Sequence, residues 1–285
     1  MFIGGAAVIN GILYICATPI GNLEDVSIRL LKTLRKVDFI ACEDTRQTVK
    51  LLNRYKIKKP LQSYHEHSSR QKEDYLLEEM SKGKSIALVS DAGMPGISDP
   101  GEQLVKRAIE LNLTVEVIPG PSALISALVI SAMDSSTFVF AGFLPNKRKP
   151  RQESLQTLKN ELRTVILYEA PHRLLDTLED IVEVMGTGRQ IAVARELTKK
   201  HEEVRRGNAA EVLAHFQAQP PRGEICILIA AEPVQAKEVS LERICEEAEQ
   251  LISSGIDKKE AFKMKAREYK ITKSLIYNYY IEKYK

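Results

Sequence analysis

Three loops rich in glycine and proline follow apolar runs in the first half of this 285-residue chain, and their composition suits neither helix nor sheet. They are Ala17–Asp25 (ATPIGNLED), Ser90–Gly101 (SDAGMPGISDPG) and Ile118–Ala123 (IPGPSA). In open α/β sheets, ligands bind beyond the carboxyl ends of the strands, and glycine lets the backbone approach a ligand closely. The three loops together indicate a cofactor or nucleotide cleft; the alternative is that they are three structural turns.

The absence of three known motifs narrows the range of ligands that such a cleft could bind. There is no GxxxxGK[ST], which argues against a triphosphate-binding P-loop, and no GxGxxG at the first helix, which argues against a Rossmann dinucleotide site. The GxSxG nucleophile elbow of α/β-hydrolases is also absent. Kinase and hydrolase functions are therefore disfavoured.

The elements that must position these loops follow a regular alternation. Apolar runs of strand length alternate with amphipathic helical periods through most of the chain, which predicts an α/β protein with a mainly parallel sheet covered by helices on both faces. A second series of strands and helices starts after a break at MDSS, and the C-terminal residues show helical periods. We expect two α/β domains, at 1–133 and 134–233, and a small helical tail at 234–285.

The net charge of +3 is unevenly distributed. From Asp257 to Lys285 there are nine Lys and Arg residues and four Asp and Glu residues, so the rest of the chain is slightly acidic. A basic tail on a near-neutral body suggests an anionic partner, with nucleic acid the leading candidate and solubility alone the alternative. Half of the tyrosines also lie in this tail, where they could stack on bases or pack the helices together: Tyr269, Tyr277, Tyr279, Tyr280 and Tyr284.

Composition indicates a cytoplasmic protein without a membrane partner. No apolar run reaches the roughly 18 residues that are needed to span a bilayer. The four cysteines are scattered and form no CxxC pair, so we expect reduced core thiols and no zinc site. The N-terminal stretch lacks a basic region and a clean cleavage site, which favours a short extension leading into a strand over a signal peptide.

Eight blocks of the sequence carry a family resemblance. In order, they are LYICATPIGNLEDVSIRLLKTL, IACEDTRQTVKLL, SDAGMPGISDPG, VIPGPSA, FLP, YEAPHRLLDTL, ARELTKKHEE and RGEICILIA, spread over about Leu13–Ala230. Together they resemble the 16S ribosomal RNA 2′-O-methyltransferase I family of the tetrapyrrole-methylase-like superfamily. The resemblance implies two α/β domains with an S-adenosylmethionine cleft between them, and a homodimer. It also implies methyl transfer to the ribose 2′-hydroxyl of a cytidine in the decoding region of the small ribosomal subunit.

The resemblance further implies which residues bind the cofactor. In the first domain they are Pro19, Asp91, Ala92, Gly93, Ile97, Ser98, Ser122 and Ala123. In the second domain they are Tyr168, Glu169, Ala170, Arg195, Glu196 and Gly223. The first loop, ATPIGN, has less glycine than its counterpart in tetrapyrrole-modifying relatives, which leaves the contacts of Pro19 and Gly21 open.

Methyl transfer from a sulfonium depends mainly on positioning, although a ribose hydroxyl is a poor nucleophile and benefits from a group that takes its proton. The CEDTR block offers Glu43, Asp44 and Arg46 at a strand end. Our hypothesis is that Asp44 or Glu43 accepts the proton or orients the hydroxyl, while Arg46 holds a phosphate. The alternative is that Asp44 caps a helix and Arg46 forms a surface pair.

Two basic segments are candidate RNA contacts, although a charge run is often only a solvated face. The candidate residues are Lys147, Arg148, Lys149 and Arg151 in NKRKPR, and Lys199 and Lys200 in KKHEEVRR. His65 and His67 have no third ligand nearby in the sequence, so we expect no metal there.

Two other functions stay open on sequence grounds. A small-molecule methyltransferase acting on a tetrapyrrole could use the same fold. A noncatalytic RNA-binding protein that has kept the fold is the other alternative, which the intact glycine loops disfavour. The basic segments and the ACEDTR and ARELTKKHEE blocks favour ribosomal RNA as the substrate.

Overall fold

A computed structural model describes residues 10–65, 68–231, 240–269 and 271–284 of the chain. His67 and the predicted N-terminal extension before residue 10 lie outside these described residues. The chain divides into two compact units, Met1–Glu232 and Pro233–Lys285. Among the described residues, no helix has the length and apolar character needed to cross a membrane.

The first sheet has five strands, all parallel to their neighbours. In chain order they are β1 (Ile12–Cys16), β2 (Phe39–Cys42), β3 (Leu61–Ser63), β4 (Ile86–Val89) and β5 (Thr114–Ile118). Their spatial order is β3-β2-β4-β1-β5. The predicted parallel sheet is confirmed, and all of its carboxyl ends lie at one edge.

Helices cover both faces of this sheet. They are α1 (Ile28–Lys36), α2 (Thr45–Arg54), α3 (Arg70–Ser81) and α4 (Glu102–Glu110). Alternate side chains of a strand point to opposite faces. Accordingly, Tyr14 and Cys16 of β1 pack in the cluster of α1 and α2, whereas Leu13 and Ile15 pack in the cluster of α3 and α4.

The second sheet is mixed. Its strands are β6 (Phe138–Phe143), β7 (Thr164–Glu169), β8 (Gln190–Arg195), β9 (Glu203–Asn208) and β10 (Ile225–Ile229), in the spatial order β6-β7-β10-β8-β9. Only β6 and β7 are parallel within it. The sequence patterns missed β9, because its segment EVRRGN is polar and lies at the edge of the sheet.

Helices also pack on both faces of the second sheet. One face carries α6 (Arg148–Leu158), α7 (Leu174–Met185) and α8 (Ala209–Ala218) over a large apolar core. The other face carries α5 (Ala123–Ser131), whose Ala127 and Leu128 pack with Ile166 and Leu228. The predicted boundary at 133/134 leaves α5 with the first domain, although the helix packs on the second sheet. The domain division stays a prediction.

The second unit is helical, as predicted. It contains α9 (Leu241–Ser253), α10 (Lys258–Glu268) and α11 (Lys273–Tyr284). Their core contains Ile244, Cys245, Phe262 and Ile276. Asp257 begins α10 by accepting hydrogen bonds from the backbone N–H groups of Lys259 and Glu260.

All four cysteines are free and buried, as the sequence predicts. Burial raises the pKa of Cys16 and of Cys226 to about 12, so both thiols stay protonated near neutral pH. No group of three or more His, Cys, Asp or Glu side chains in the described part of the chain could hold a metal ion.

Candidate active site

The loop after β4 forms one wall of a cleft at the carboxyl edge of the first sheet. Its backbone is left-handed at Gly93 (φ 78°), Gly96 (φ 82°) and Ser98 (φ 58°), and Gly101 has φ 142°. Positive φ is unusual for a serine, and such strain is common at functional sites. The first loop is fixed to this wall, because Thr18 and Gly93 exchange backbone hydrogen bonds of 2.8 and 3.1 Å.

Gly21 explains why the first loop needs its single glycine. A Cβ atom at this position would lie 2.6 Å from Lys199 Cγ and 2.8 Å from both the Leu197 carbonyl oxygen and Thr198 Oγ1. The backbone N–H of Asn22 also donates to Thr198 Oγ1 at 3.0 Å. Gly21 therefore lets the first loop pack closely against the loop after β8, which joins the two walls of the cleft.

The loops enclose a cavity of about 450 Å³. This volume falls within the range of about 300–1,000 Å³ that is typical of small-molecule sites. The lining is largely apolar, with five carboxylates and the aromatic rings of Phe143 and Tyr168. The residues that line it are Ile20, Glu43, Asp91, Ala92, Gly93, Met94, Ile97, Ser98, Asp99, Ser122, Ala123, Leu124, Phe143, Tyr168, Glu169, Ala170, Pro171, Ala194, Leu197, Gly223, Glu224, Ile225 and Cys226.

Most of the residues predicted to bind a cofactor lie in this lining, and three do not. Pro19 is buried, but its neighbour Ile20 reaches the cavity instead. Arg195 pairs with Glu203, and Glu196 pairs with Lys199. Leu197, which follows them, does line the cavity. It lies between two residues with positive φ angles, Glu196 (51°) and Thr198 (65°).

Two of the lining residues from the second sheet have a clear structural role. The buried Glu169 accepts a 2.6 Å hydrogen bond from the Thr177 hydroxyl and lies 3.2 Å from Arg173 Nε. Gly223 has φ 82°, and a Cβ atom there would lie 1.9 Å from Glu196 Oε1. Glu169 therefore supports the wall, and Gly223 leaves room for the Glu196 carboxylate.

Several lining residues were missed by sequence reasoning. They are Ile20, Met94, Asp99, Leu124, Phe143, Pro171, Ala194, Leu197, Glu224, Ile225 and Cys226. The signal for Asp99 was present, because it lies in the SDAGMPGISDPG loop only one residue after the predicted Ser98. Phe143 and Glu224 come from loops and strand ends of the second sheet and carry no comparable local signal.

Glu43 and Asp44 differ in position although they are adjacent in sequence. Glu43 lines the cavity, whereas Asp44 is absent from the lining and is the N-cap of α2. The Asp44 carboxylate accepts hydrogen bonds of 3.0 and 2.7 Å from Arg46 Nε and Nη2 and one of 2.8 Å from the Arg46 backbone N–H. These bonds lower the pKa of Asp44 to about 2, which makes it a weak proton acceptor. This geometry favours the capping alternative for Asp44.

The predicted RNA contacts separate into exposed and paired side chains. Lys147, Lys149 and Lys200 are exposed. Arg148 pairs with Asp180 and Glu183, and Lys199 pairs with Glu196 and Glu224. Arg46, although paired with Asp44, has a side chain that is 87% exposed.

Arg151 does not fit the prediction of an RNA contact. Its side chain is only 4% exposed, and its Nε donates to Asp180 Oδ2 at 2.6 Å. This buried guanidinium links α6 to α7 through a buried carboxylate, which would lose this partner if Arg151 turned outward, so Arg151 is not available to a phosphate. The sequence could not show this, because Asp180 lies 29 positions away.

The sequence is similar to proteins of known name. Residues 12–213 match the family described as Tetrapyrrole (Corrin/Porphyrin) Methylases. A ribosomal RNA small subunit methyltransferase I from Synechocystis sp. is 47% identical over 273 residues, which cover 95% of this chain and 98% of that protein. The protein of the same name from Thermotoga maritima is 49% identical over 222 residues, which cover 78% of this chain and 99% of that protein.

Solved structures share the fold at low sequence identity. A uroporphyrin-III C-methyltransferase from Thermus thermophilus has a TM-score of 0.53 and 17% identity, covering 76% of this chain and 94% of that chain. A cobalt precorrin-4 methyltransferase has a TM-score of 0.58 and 15% identity, covering 80% of this chain and 98% of that chain. The family model and the sequence relatives agree with this fold and confirm the resemblance. The chain therefore belongs to the ribosomal RNA small subunit methyltransferase I family, within the tetrapyrrole (corrin/porphyrin) methylases.

Proposed function

We propose that this chain transfers a methyl group to the 2′-hydroxyl of a cytidine ribose in the decoding region of 16S ribosomal RNA. It is a methyltransferase that uses S-adenosylmethionine, as a member of this family. The observation that carries the proposal is the cavity between the two sheets, walled by the glycine-rich loops, in a chain 47% identical to a protein named for the small-subunit RNA. The tetrapyrrole methylases with solved structures are far more distant and support the fold alone.

The cavity fits S-adenosylmethionine in size and chemistry. This cofactor supplies an electrophilic methyl group on a positively charged sulfur. Glu43, Asp91, Asp99 and Glu224 place carboxylates in the lining, which suits a cationic ligand. The apolar and aromatic side chains of the lining, with Tyr168 and Phe143 5.7 Å apart between ring centres, suit a flat heterocycle.

The side chains and loops of the site contribute to methyl transfer mainly by positioning the two reactants and by excluding water. The Thr18–Gly93 bridge and the close packing at Gly21 hold the loops in place before a ligand binds. A preorganised cleft avoids the entropic cost of ordering loops, and holding the reacting atoms in line supplies much of the rate of a transfer reaction. The apolar lining keeps bulk water away from the reacting centre.

The exposed basic side chains are the proposed contacts to RNA phosphates. Lys147, Lys149, Lys200 and Arg46 are exposed in the first unit. Neutralising Lys147 and Lys149 together should weaken binding of small-subunit RNA and reduce its dependence on salt, because each phosphate contact releases counterions. Binding of S-adenosylmethionine should not change. An unchanged salt dependence would remove these two lysines from the RNA-binding surface.

The helical unit is proposed to contribute a second RNA contact. Lys259, Lys263 and Arg267 are exposed and lie four residues apart, so they share one face of α10. The hydroxyls of Tyr269 and Tyr280 donate to Glu247 and Glu249, which supports a packing role for these two tyrosines.

Tyr277 is the better candidate for stacking on a base, because its side chain is 47% exposed. The triple variant K259A/K263A/R267A should lower RNA affinity and the salt slope, and Y277A should lower affinity without changing the slope. If all four side chains can be removed without loss of RNA affinity, the helical unit has another role.

We also propose a homodimer. The edge strands β5 and β6 expose Val117 and Phe138, and α5 exposes Ile125 and Val129, the last at 71%. Exposed apolar side chains on edge strands and their neighbours often mark an interface. Light scattering should give twice the chain mass for wild type and a lower mass for V129D. L162D is the control, because Leu162 is also a strongly exposed apolar residue, at 62%, and lies outside these elements. A monomeric wild type at micromolar concentration would contradict the dimer.

The cytoplasm is the proposed location. Ribosomal RNA in assembling subunits is found there, and the four free, buried thiols fit a reducing compartment. Fractionation of cells that express the tagged protein at its native level should place it with the ribosomal subunits and not with the membranes.

The decisive experiment for the function is a transfer assay with mass mapping. Small subunits from cells lacking this protein should gain one methyl group on a cytidine ribose when they are incubated with the protein and S-adenosylmethionine. Naked 16S RNA and a tetrapyrrole serve as the other two substrates. Methylation of the tetrapyrrole alone would favour the small-molecule alternative, and no methylation with intact RNA binding would favour the noncatalytic one.

A further inference from the structure

The helices α1 and α2 carry a basic surplus that the net charge of the whole chain conceals. Residues 26–60 contain ten Lys and Arg residues and three Asp and Glu residues, although the net charge of the chain is only +3. α1 contains four Lys and Arg residues, α2 contains three, and neither helix contains Asp or Glu. Both helices pack on the same face of the first sheet, α1 through Leu34 and α2 through Leu51. The outer surface of this face is therefore positively charged.

Three of these cations form a row along the exposed side of α2. Arg46, Lys50 and Arg54 are spaced four residues apart, so their side chains share one face of the helix, with about 6 Å from each to the next along the axis. All three residues are exposed, and the side chains of Arg46 and Arg54 are 87% and 57% accessible. This α2 row therefore presents three positive charges to solvent over about 12 Å.

The α2 row begins beside the cofactor cavity. Arg46 lies in the first turn of α2, and the backbone N–H of the N-cap residue Asp44 donates to Asp91 Oδ1 of the cavity lining at 3.1 Å. Glu43, one residue earlier, lines the cavity itself. Since α2 starts at the carboxyl end of β2 and runs away from it, the rest of the row leads outward from the cavity.

Helix stability does not explain the α2 row. Like charges four residues apart repel each other on a helix, and a cation in the first turn opposes the helix dipole. Lys50 donates to Gln47 Oε1 at 2.9 Å, and Arg54 lies 3.6 Å from the exposed Glu24. These surface contacts leave the row accessible to an anionic partner.

The cations of α1 are bound more closely to the protein itself. Arg29 donates to the Val117 carbonyl oxygen at 2.6 Å. Arg35 donates to the Tyr55 carbonyl oxygen at 3.2 Å. These contacts connect α1 to β5 and to the end of α2, so the binding surface is better placed on the α2 row than on α1.

We propose that the α2 row binds phosphates of the ribosomal RNA strand that continues from the methylated nucleotide. This inference rests on the proposed methylation of RNA and adds Lys50 and Arg54 to its contacts. A row of about 12 Å covers about three or four nucleotides of a stacked strand. Lys and Arg side chains bind phosphate oxygens without reading the bases, so the row positions the RNA relative to the cavity.

The test compares two double variants that each remove one exposed lysine and the arginine of one surface ion pair. K50Q/R54Q should bind protein-free 16S RNA about tenfold more weakly than wild type. It should also reduce the slope of log affinity against log salt by about 1.4–1.8, as expected for two lost phosphate contacts. The control is K106Q/R163Q, because Lys106 is exposed on α4, on the opposite face of the sheet, and Arg163 pairs with Glu161. The control and K50R/R54K, which keeps both charges, should bind as wild type does.

Kinetics should separate RNA binding from chemistry. In single-turnover assays with methyl-free small subunits, K50Q/R54Q should need a roughly tenfold higher subunit concentration for its half-maximal rate and keep its saturated rate within about twofold. Because neither side chain lines the cavity, calorimetry should give an unchanged affinity for S-adenosylmethionine. Glutamine has nearly the same helix propensity as lysine and arginine, so the melting temperature should stay close to that of wild type.

The inference is overturned if K50Q/R54Q keeps the RNA affinity and salt slope of wild type, or loses no more of either than K106Q/R163Q. It is also overturned if binding weakens for whole subunits but not for protein-free RNA, because the row would then contact a ribosomal protein. A wild type that methylates no RNA contradicts the proposed function, whereas the binding comparison still decides this inference. If K50Q/R54Q does not fold, the single variants K50Q and R54Q replace it, each with about half the change in slope.

Discussion

The loops after β2 and after β4 start from the carboxyl ends of neighbouring strands, yet the pKa values of Asp44 and Asp99 in these loops are shifted in opposite directions. After β2, Asp44 is the N-cap of α2, and the hydrogen bonds from Arg46 lower its pKa to about 2. After β4, Asp99 is held in the cavity, where burial and Glu43 raise its pKa to about 7. Residue type and strand-end position therefore do not set the pKa of a carboxyl group. Its hydrogen-bond partners, its charged neighbours and its burial do.

Distorting the loop after β4 should give the largest change. Gly101 has φ 142°, and a Cβ atom there would lie 2.9 Å from Leu88 Cδ2, so G101A should cost about 1–3 kcal/mol of stability and displace Asp99. We expect a single-turnover rate at least about tenfold lower. G186A is the matched control, because Gly186 also has a positive φ but no neighbour within 4 Å of the added atom. It should lose stability and keep its rate. Wild-type melting temperature and rate in G101A would contradict this role of the loop.

Removing the charge of Glu43 should give an intermediate change. Its repulsion contributes to the raised pKa of Asp99, so E43Q should lower the midpoint of the Asp99 carboxyl titration, measured by NMR on labelled protein. At pH 6 the ionised fraction of Asp99 should be about two- to threefold higher than in wild type. E102Q, a change at the start of α4, should leave the midpoint in place. A midpoint that stays fixed or moves to higher pH in E43Q would show that Glu43 does not raise the pKa of Asp99.

Neutralising Asp44 should give the smallest change. Asparagine is as good an N-cap as aspartate, so D44N should keep the methylation rate within about twofold. Because the folded pKa of Asp44 is depressed, its contribution to stability is present above its usual pKa of 3.8 and is lost as the pH falls toward 2. Melting curves of wild type and D44N should therefore differ by a constant amount from pH 5 to 8 and converge below pH 4. A loss of rate of tenfold or more, with normal cofactor affinity, would make Asp44 the acceptor after all.

The sequence predicted the first sheet and the loop after β4 because their signals are local. Apolar runs of strand length separated by helical periods specify a parallel sheet, and a loop with three glycines and two prolines can be recognised without knowing its neighbours. The choice of Asp91, Gly93 and Ser98 as cavity residues follows from that loop and from the family blocks.

What the sequence did not predict depends on contacts between distant segments. The polar edge strand β9 is stabilised by its pairing with β8, and Arg151 is buried because Asp180 on another helix pairs with it. Gly21 is needed because the loop at Leu197–Lys199 packs against it. The acid strength of Asp99 likewise depends on Glu43, which is contributed by a different strand end. No window of sequence contains both members of these pairs.

The most direct test is a crystal structure of the protein with S-adenosylmethionine bound. We predict that the ligand lies in the cavity between the loop of Gly93 and the strand end of Tyr168. Density for the ligand at another place on the protein would contradict this account of the site.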